Sequence, residues 1–186
     1  MIRPPVTSIA IAIAAALAAS AGAAGAAPAA SPIIDLPLNP VIPAAQRTCA
    51  AKTASGVGYS ALKAGAGARP GATDYALVNY IGYLAADGKA FDQGLSTPMQ
   101  IDRVIPGFAE GLQMLTRGAI YRFCIPAVLG YGAEGSGPIP ANADLVFQVE
   151  LLDSRTAAEV EAIRQQAGAR QGGDQAAGTP APASQR

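Results

Sequence analysis

Val104-Ile105-Pro106-Gly107-Phe108-Ala109-Glu110-Gly111-Leu112 orders the rest of the chain around it. Proline suits the first turn of a helix, because the N–H it lacks would have no partner there and its φ is already set. Phe108, Leu112 and Leu115 then recur at i, i+4 and i+7 and give the helix one apolar face. Gly118 is placed to stop it. So short a helix needs a partner surface, and the flanking segments read as strands. Upstream, Thr97 to Val104 is extended, and Tyr75 to Leu84 carries the aromatic and β-branched residues of a strand. Ala86-Asp87-Gly88-Lys89 reads as a turn, since Asp-Gly accommodates positive φ, and should return the chain into a strand containing Phe91. Val57 to Leu62 is a further short strand, ended by Gly65 and Gly67. Downstream lie a strand over Ile120 to Ile125 and a Gly-rich loop, Gly130 to Gly137, carrying Tyr131. In the last strand Leu145, Phe147, Val149 and Leu151 alternate with Val146, Gln148, Glu150 and Leu152. Roughly five short strands and one helix make an antiparallel sheet with one face packed on the helix, an α+β fold.

Composition narrows the chemistry. The 186 residues suit one domain with tails, and 13 Lys+Arg balance 13 Asp+Glu. No run of basic residues points to nucleic acid. The absence of His removes His-based acid–base catalysis and His-ligated metal. Two cysteines, Cys49 and Cys124, are too few for a structural zinc site. Gly132, Gly135 and Gly137 lack the spacing and the following Lys-Ser/Thr of a phosphate-binding loop, and no cofactor is expected.

The chain ends read differently from its middle. Arg3, an apolar run from Ile9 to Ala19 and Ala24-Gly25-Ala26 make residues 1–27 a secretory signal peptide, directing the protein to the periplasm or out of the cell. The alternative is an uncleaved N-terminal membrane anchor, for which the apolar run is short of the ~20 residues of a span. Residues 28–47, with Pro28, Pro32, Pro37, Pro40 and Pro43, read as an extended linker. The folded domain is expected over 48–154. In 155–186, Ala157, Val160, Ile163 and Ala167 suggest a short helix over Arg155 to Gln166, and Ala167 to Arg186 reads as disordered.

Six blocks in order resemble the FKBP family of peptidyl-prolyl cis/trans isomerases. They are Val78-Asn79-Tyr80-Ile81-Gly82-Tyr83-Leu84, Asp87-Gly88-Lys89-Ala90-Phe91-Asp92, Val104 to Leu112, Ile125-Pro126, Tyr131-Gly132 with Ile139-Pro140, and Leu145 to Leu152. Thr53 to Tyr59 is similar to the start of bacterial members. The resemblance implies a twisted five-stranded antiparallel sheet wrapped around one short central helix, and rotamase activity in protein folding. It assigns catalytic roles to Tyr80, Asp92, Ile105 and Tyr131. It assigns substrate binding to Phe91, Met99, Val104, Phe108, Ile139 and Phe147. Two of these depart from the family pattern: Phe108 stands where Trp is usual, and Met99 where Phe is often found. The changes bear on the depth of the pocket, on substrate preference and on affinity for macrolide inhibitors.

The resemblance also implies that the strands near Cys49 and Cys124 are antiparallel neighbours, so an exported chain should form a Cys49–Cys124 disulfide. The expected partners are X-Pro segments of unfolded or partly folded exported proteins. A second reading is a non-catalytic periplasmic peptide-binding chaperone using the same groove. The Pro-rich 28–47 segment supplies no long helical module, so a monomer is expected.

Overall fold

A computed structural model describes residues 33–34 and 41–176, with side chains as far as residue 168. The expected signal peptide and its cleavage site lie outside the described residues. Six strands form one antiparallel sheet: β1 (Ala51–Lys52), β2 (Gly58–Lys63), β3 (Tyr75–Leu84), β4 (Ala90–Gln100), β5 (Ile120–Ile125) and β6 (Leu145–Arg155). Their spatial order is β1-β2-β5-β6-β3-β4. Helix α1 (Pro106–Met114) packs on one face, and α2 (Ala157–Ala176) follows the last strand. This is the α+β arrangement expected, with a two-residue edge strand added to the anticipated five.

The strand around Phe91 and the extended segment from Thr97 are one strand, β4, which gives way to a tight 3-10 turn at Ile101–Arg103. Its pairing with β3 shifts register between Val78 and Tyr80, and Ser96 takes φ +46° there. Asn79 secures this bulge by accepting the Ser96 N–H at 2.9 Å. Pro98 is tolerated because β4 is the edge of the sheet, where a missing donor costs no ladder bond. Helix α1 ends at Met114, earlier than expected. Gly118, at φ +78°, instead makes the turn into β5 and donates to the Leu151 carbonyl at 2.7 Å.

The core lies between α1 and the concave face of the sheet. Phe108, Leu112 and Leu115 from the helix meet Val78, Phe123, Phe147, Val149 and Leu151 from the strands. Gly111 lets the helix close on β5, since a Cβ there would stand 3.0 Å from the Phe123 ring.

The opposite face is not bare. Along β3 burial alternates at first and then becomes continuous from Tyr80 to Tyr83; in β6 it is continuous from Leu145 to Val149. The reason is a strap from the N-terminal side. Ile34 and Ile42 pack with Ile81, Tyr83 and Val146 in a second apolar cluster. Gln148 holds the strap at both ends of one amide, accepting the Ile34 N–H and donating to the Ile34 carbonyl, each at 2.7 Å. Arg47 then donates to the carbonyls of Ala85 (2.9 Å) and Ala86 (2.6 Å), and Cys49 is disulfide-bonded to Cys124 on β5. The expected linker over 28–47 is therefore, in its described part, a covering element. Its composition carries no periodicity because a strap needs only a few apolar contacts.

Helix α2 also runs past its expected end near Gln166, into the stretch expected to lack structure. A reciprocal cap starts it: the Glu159 carboxylate accepts the Thr156 N–H at 2.7 Å, and the Thr156 hydroxyl accepts the Glu159 N–H at 3.2 Å. Residues 177–186 of the expected tail lie outside the described residues.

Candidate active site

A cavity of about 270 Å³ opens between the N-terminal end of α1 and strands β3, β4 and β6. Its floor is aromatic. Phe108, from the first turn of α1, meets Phe147 of β6 with ring centres 4.8 Å apart and planes at 64°. Phe91 of β4 meets Phe147 edge to face at 5.5 Å. Gly82 makes that pair feasible, because a Cβ at this position would lie 2.6 Å from Phe91 and 2.7 Å from Phe147. Tyr80 stands edge-on to Phe108 at 6.2 Å.

Polar groups are confined to the rim. The Tyr80 hydroxyl donates to an Asp92 oxygen at 2.8 Å, and the other Asp92 oxygen accepts the Gln93 N–H at 2.8 Å. Burial first, then this hydrogen bond, raises the Tyr80 hydroxyl above the usual tyrosine range, so it stays a donor at any physiological pH. Ile105 is the residue before α1, with φ −57° and ψ 145°. Its carbonyl accepts the N–H groups of Phe108 and Ala109, while its own N–H has no partner among the described residues. Tyr131 reaches the mouth from the β5–β6 connection, is 38% exposed, and has a hydroxyl without a partner among the described residues.

Of the residues singled out in the sequence, Tyr80, Asp92, Met99, Val104, Ile105, Phe108, Tyr131 and Phe147 line this one cavity. Phe91 and Ile139 do not. They belong to the apolar core, with Ile139 buried in it and Phe91 half-buried against it. Sequence reasoning missed Arg103, which also lines the cavity. Its signal was a lone cation immediately before Val104-Ile105.

Residues 67–152 match the family described as FKBP-type peptidyl-prolyl cis-trans isomerase. Over 104 residues the chain is 46% identical to the FKBP-type peptidyl-prolyl cis-trans isomerase FkpA of Aeromonas hydrophila, covering 54% of this chain and 38% of that one. It is 38% identical over 109 residues to the outer membrane protein MIP of Legionella longbeachae, covering 56% of this chain and 46% of the relative. The chain thus spans less than half the length of these curated relatives. The crystal structure of a peptidyl-prolyl cis-trans isomerase from Pseudomonas syringae pv. tomato superposes with TM-score 0.55 at 37% identity, covering 57% of this chain and 80% of the other. Identity at this level across most of a solved relative, on the same fold, means that the chain belongs to the FKBP-type peptidyl-prolyl cis-trans isomerase family.

Proposed function

We propose that this domain accelerates rotation about X-Pro bonds of exported proteins, by holding the twisted amide in the aromatic cavity without covalent chemistry. The carrying observation is the division of that cavity into an apolar floor and a rim of unengaged donors. Rotation is slow because amide resonance must be broken, a barrier of about 18–20 kcal/mol. The planar amide is charge-separated and best solvated by water; the twisted one has lost that resonance. A site of Phe108 and Phe147, which are 3% and 5% exposed, strips water from the bond and so favours the twisted form. The Ile105 N–H and the Tyr131 hydroxyl, both without partners among the described residues, fix the flanking carbonyls. Asp92 anchors Tyr80 through its hydrogen bond and keeps that wall rigid. A ten-thousand-fold acceleration requires about 5.5 kcal/mol of preferential stabilisation, which oriented hydrogen bonds and desolvation together can supply.

Several features support an exported site of action. The N-terminal segment reads as a signal peptide, the cysteines form a disulfide, and one relative is named an outer membrane protein. Among the described residues, no helix is long and apolar enough to cross a membrane. We take the working unit to be a monomer acting on unfolded or partly folded chains.

The test is a protease-free isomerisation assay on an X-Pro peptide with the full chain, Tyr131→Phe and Phe147→Ala. Tyr131→Phe should lose about tenfold in kcat/KM, the worth of one hydrogen bond at about 1.4 kcal/mol, without loss of stability. Phe147→Ala should lose more, partly through destabilisation of about 3–5 kcal/mol. Full activity in both variants would move the site elsewhere.

A further inference from the structure

Among the described residues, Arg103 is the one cation lining the cavity, and it has no part in the rotation step itself. Its backbone is fixed, because it closes the 3-10 turn whose first residue, Ile101, is fully buried and donates its N–H to the Asp74 carbonyl at 3.0 Å. The next two residues, Val104 and Ile105, are themselves part of the cavity wall. The side chain thus springs from a fixed backbone position in the cavity wall rather than from a wandering loop.

Its charge is nearly unclaimed. The single ion pair it makes among the described residues is from Nε to Asp102 at 3.9 Å, between side chains 77% and 41% exposed. The planar fork of its Nη groups is left open, and such a fork is shaped to take a carboxylate with two hydrogen bonds. The anion that lines the cavity, Asp92, is already engaged by the Tyr80 hydroxyl and the Gln93 N–H. A proline seated on Phe108 and Phe147 must send its neighbouring residues out across this rim.

We propose that Arg103 selects prolines flanked by an acidic side chain, making it a specificity-determining residue for this site. The inference rests on the isomerase reading and sharpens it: the preferred clients carry Asp or Glu beside proline.

The experiment measures kcat/KM of the full chain on peptides paired by charge: Glu-Pro against Gln-Pro, Pro-Glu against Pro-Gln, and Lys-Pro as the opposite sign. The readout is the Glu/Gln ratio within each protein, which cancels any general loss of folded enzyme. The wild-type ratio should be about three for one of the two orders, the size of an exposed ion pair, and should fall toward one in high salt. Arg103→Gln should bring it to about one. Arg103→Glu should invert it in favour of Lys-Pro. Asp102→Asn, which frees the guanidinium, should raise it. A wild-type ratio of one in both orders, or a ratio that Arg103→Gln leaves unchanged, overturns the proposal while leaving the isomerase reading intact. Acceleration of no peptide at all overturns both.

Discussion

Tyr83 carries a hydroxyl that folding has buried without a partner among the described residues: the residue is 0% exposed and its oxygen has no hydrogen bond there. Leaving such a group unpaired costs about 1–3 kcal/mol relative to water. Tyr83→Phe should therefore stabilise the fold by about 1 kcal/mol, read as a higher urea midpoint at unchanged slope. The variant also has a pH signature. Burial pushes the Tyr83 hydroxyl from an ordinary 10.0 up to about 12. The folded state thus holds this proton more tightly than the unfolded chain does. The associated stability is fully present below pH 10 and is lost as pH rises through about 12. Wild type should lose more stability than Tyr83→Phe across that window, and equal losses would mean that the hydroxyl finds water. The site's own residues differ in how plainly the sequence marks them. Phe108 and Phe147 announce themselves by helical and strand periodicity. Phe91 does not show that it packs edge to face on Phe147 without lining the cavity, because that pairing depends on Gly82 leaving room for both rings. Arg103 was passed over for a different reason: a lone cation on an exposed turn is ordinary surface chemistry, and only the cavity's position gives it meaning.

At the scale of elements, patterns that follow one rule were readable, and those that break a rule locally were not. α1 was visible from Pro106 and its apolar spacing. β3 and β6 were visible from their composition, and the Asp87-Gly88 turn from its φ requirement, which the structure meets at +76° for Gly88. β4 looked like two pieces because Gly94, Ser96 and Pro98 punctuate it, yet pairing with β3 carries the strand through its bulge. α2 was read too short since beyond Gln166 it has Gly and Ala but no apolar stripe. Its start is set by the Thr156–Glu159 cap, a signal overlooked in the sequence. That cap makes a prediction about the helix. The Thr156 N–H, then its hydroxyl, hold the Glu159 carboxyl below the usual glutamate range. A depressed carboxyl supports the helix above its unfolded pKa, and that support is lost as pH falls through the folded value. Helical circular dichroism of the full chain should drop as pH falls through the acid range, and Thr156→Ala should reduce it already at neutral pH. A Thr156→Ala protein of unchanged helicity would show that α2 is held by its packing instead.

For the whole molecule, the sheet has two occupied faces with separate duties. The concave face carries α1 and the cavity; the other is closed by Ile34 and Ile42 and tied down through Gln148, Arg47 and the Cys49–Cys124 disulfide. The described part of the strap adds nothing to the cavity lining, so stability and catalysis should separate when it is loosened. Ile42 is 1% exposed, and Ile42→Ala should cost about 2–4 kcal/mol by lost burial and the space left behind. The bond joining Cys49 to Cys124 spans 75 residues. Replacing both cysteines by serine should cost about 4 kcal/mol if chain entropy governs, less if the unfolded chain keeps structure. Both variants, assayed at low temperature where they remain folded, should retain the wild-type kcat/KM on an X-Pro peptide while melting several degrees earlier. The two losses should also fall short of adding, because an unlatched strap has already surrendered part of what Ile42 contributes. A drop in kcat/KM that tracks the drop in melting temperature would mean that the two faces are mechanically coupled through β3 and β6, and that the strap helps to shape the cavity from behind.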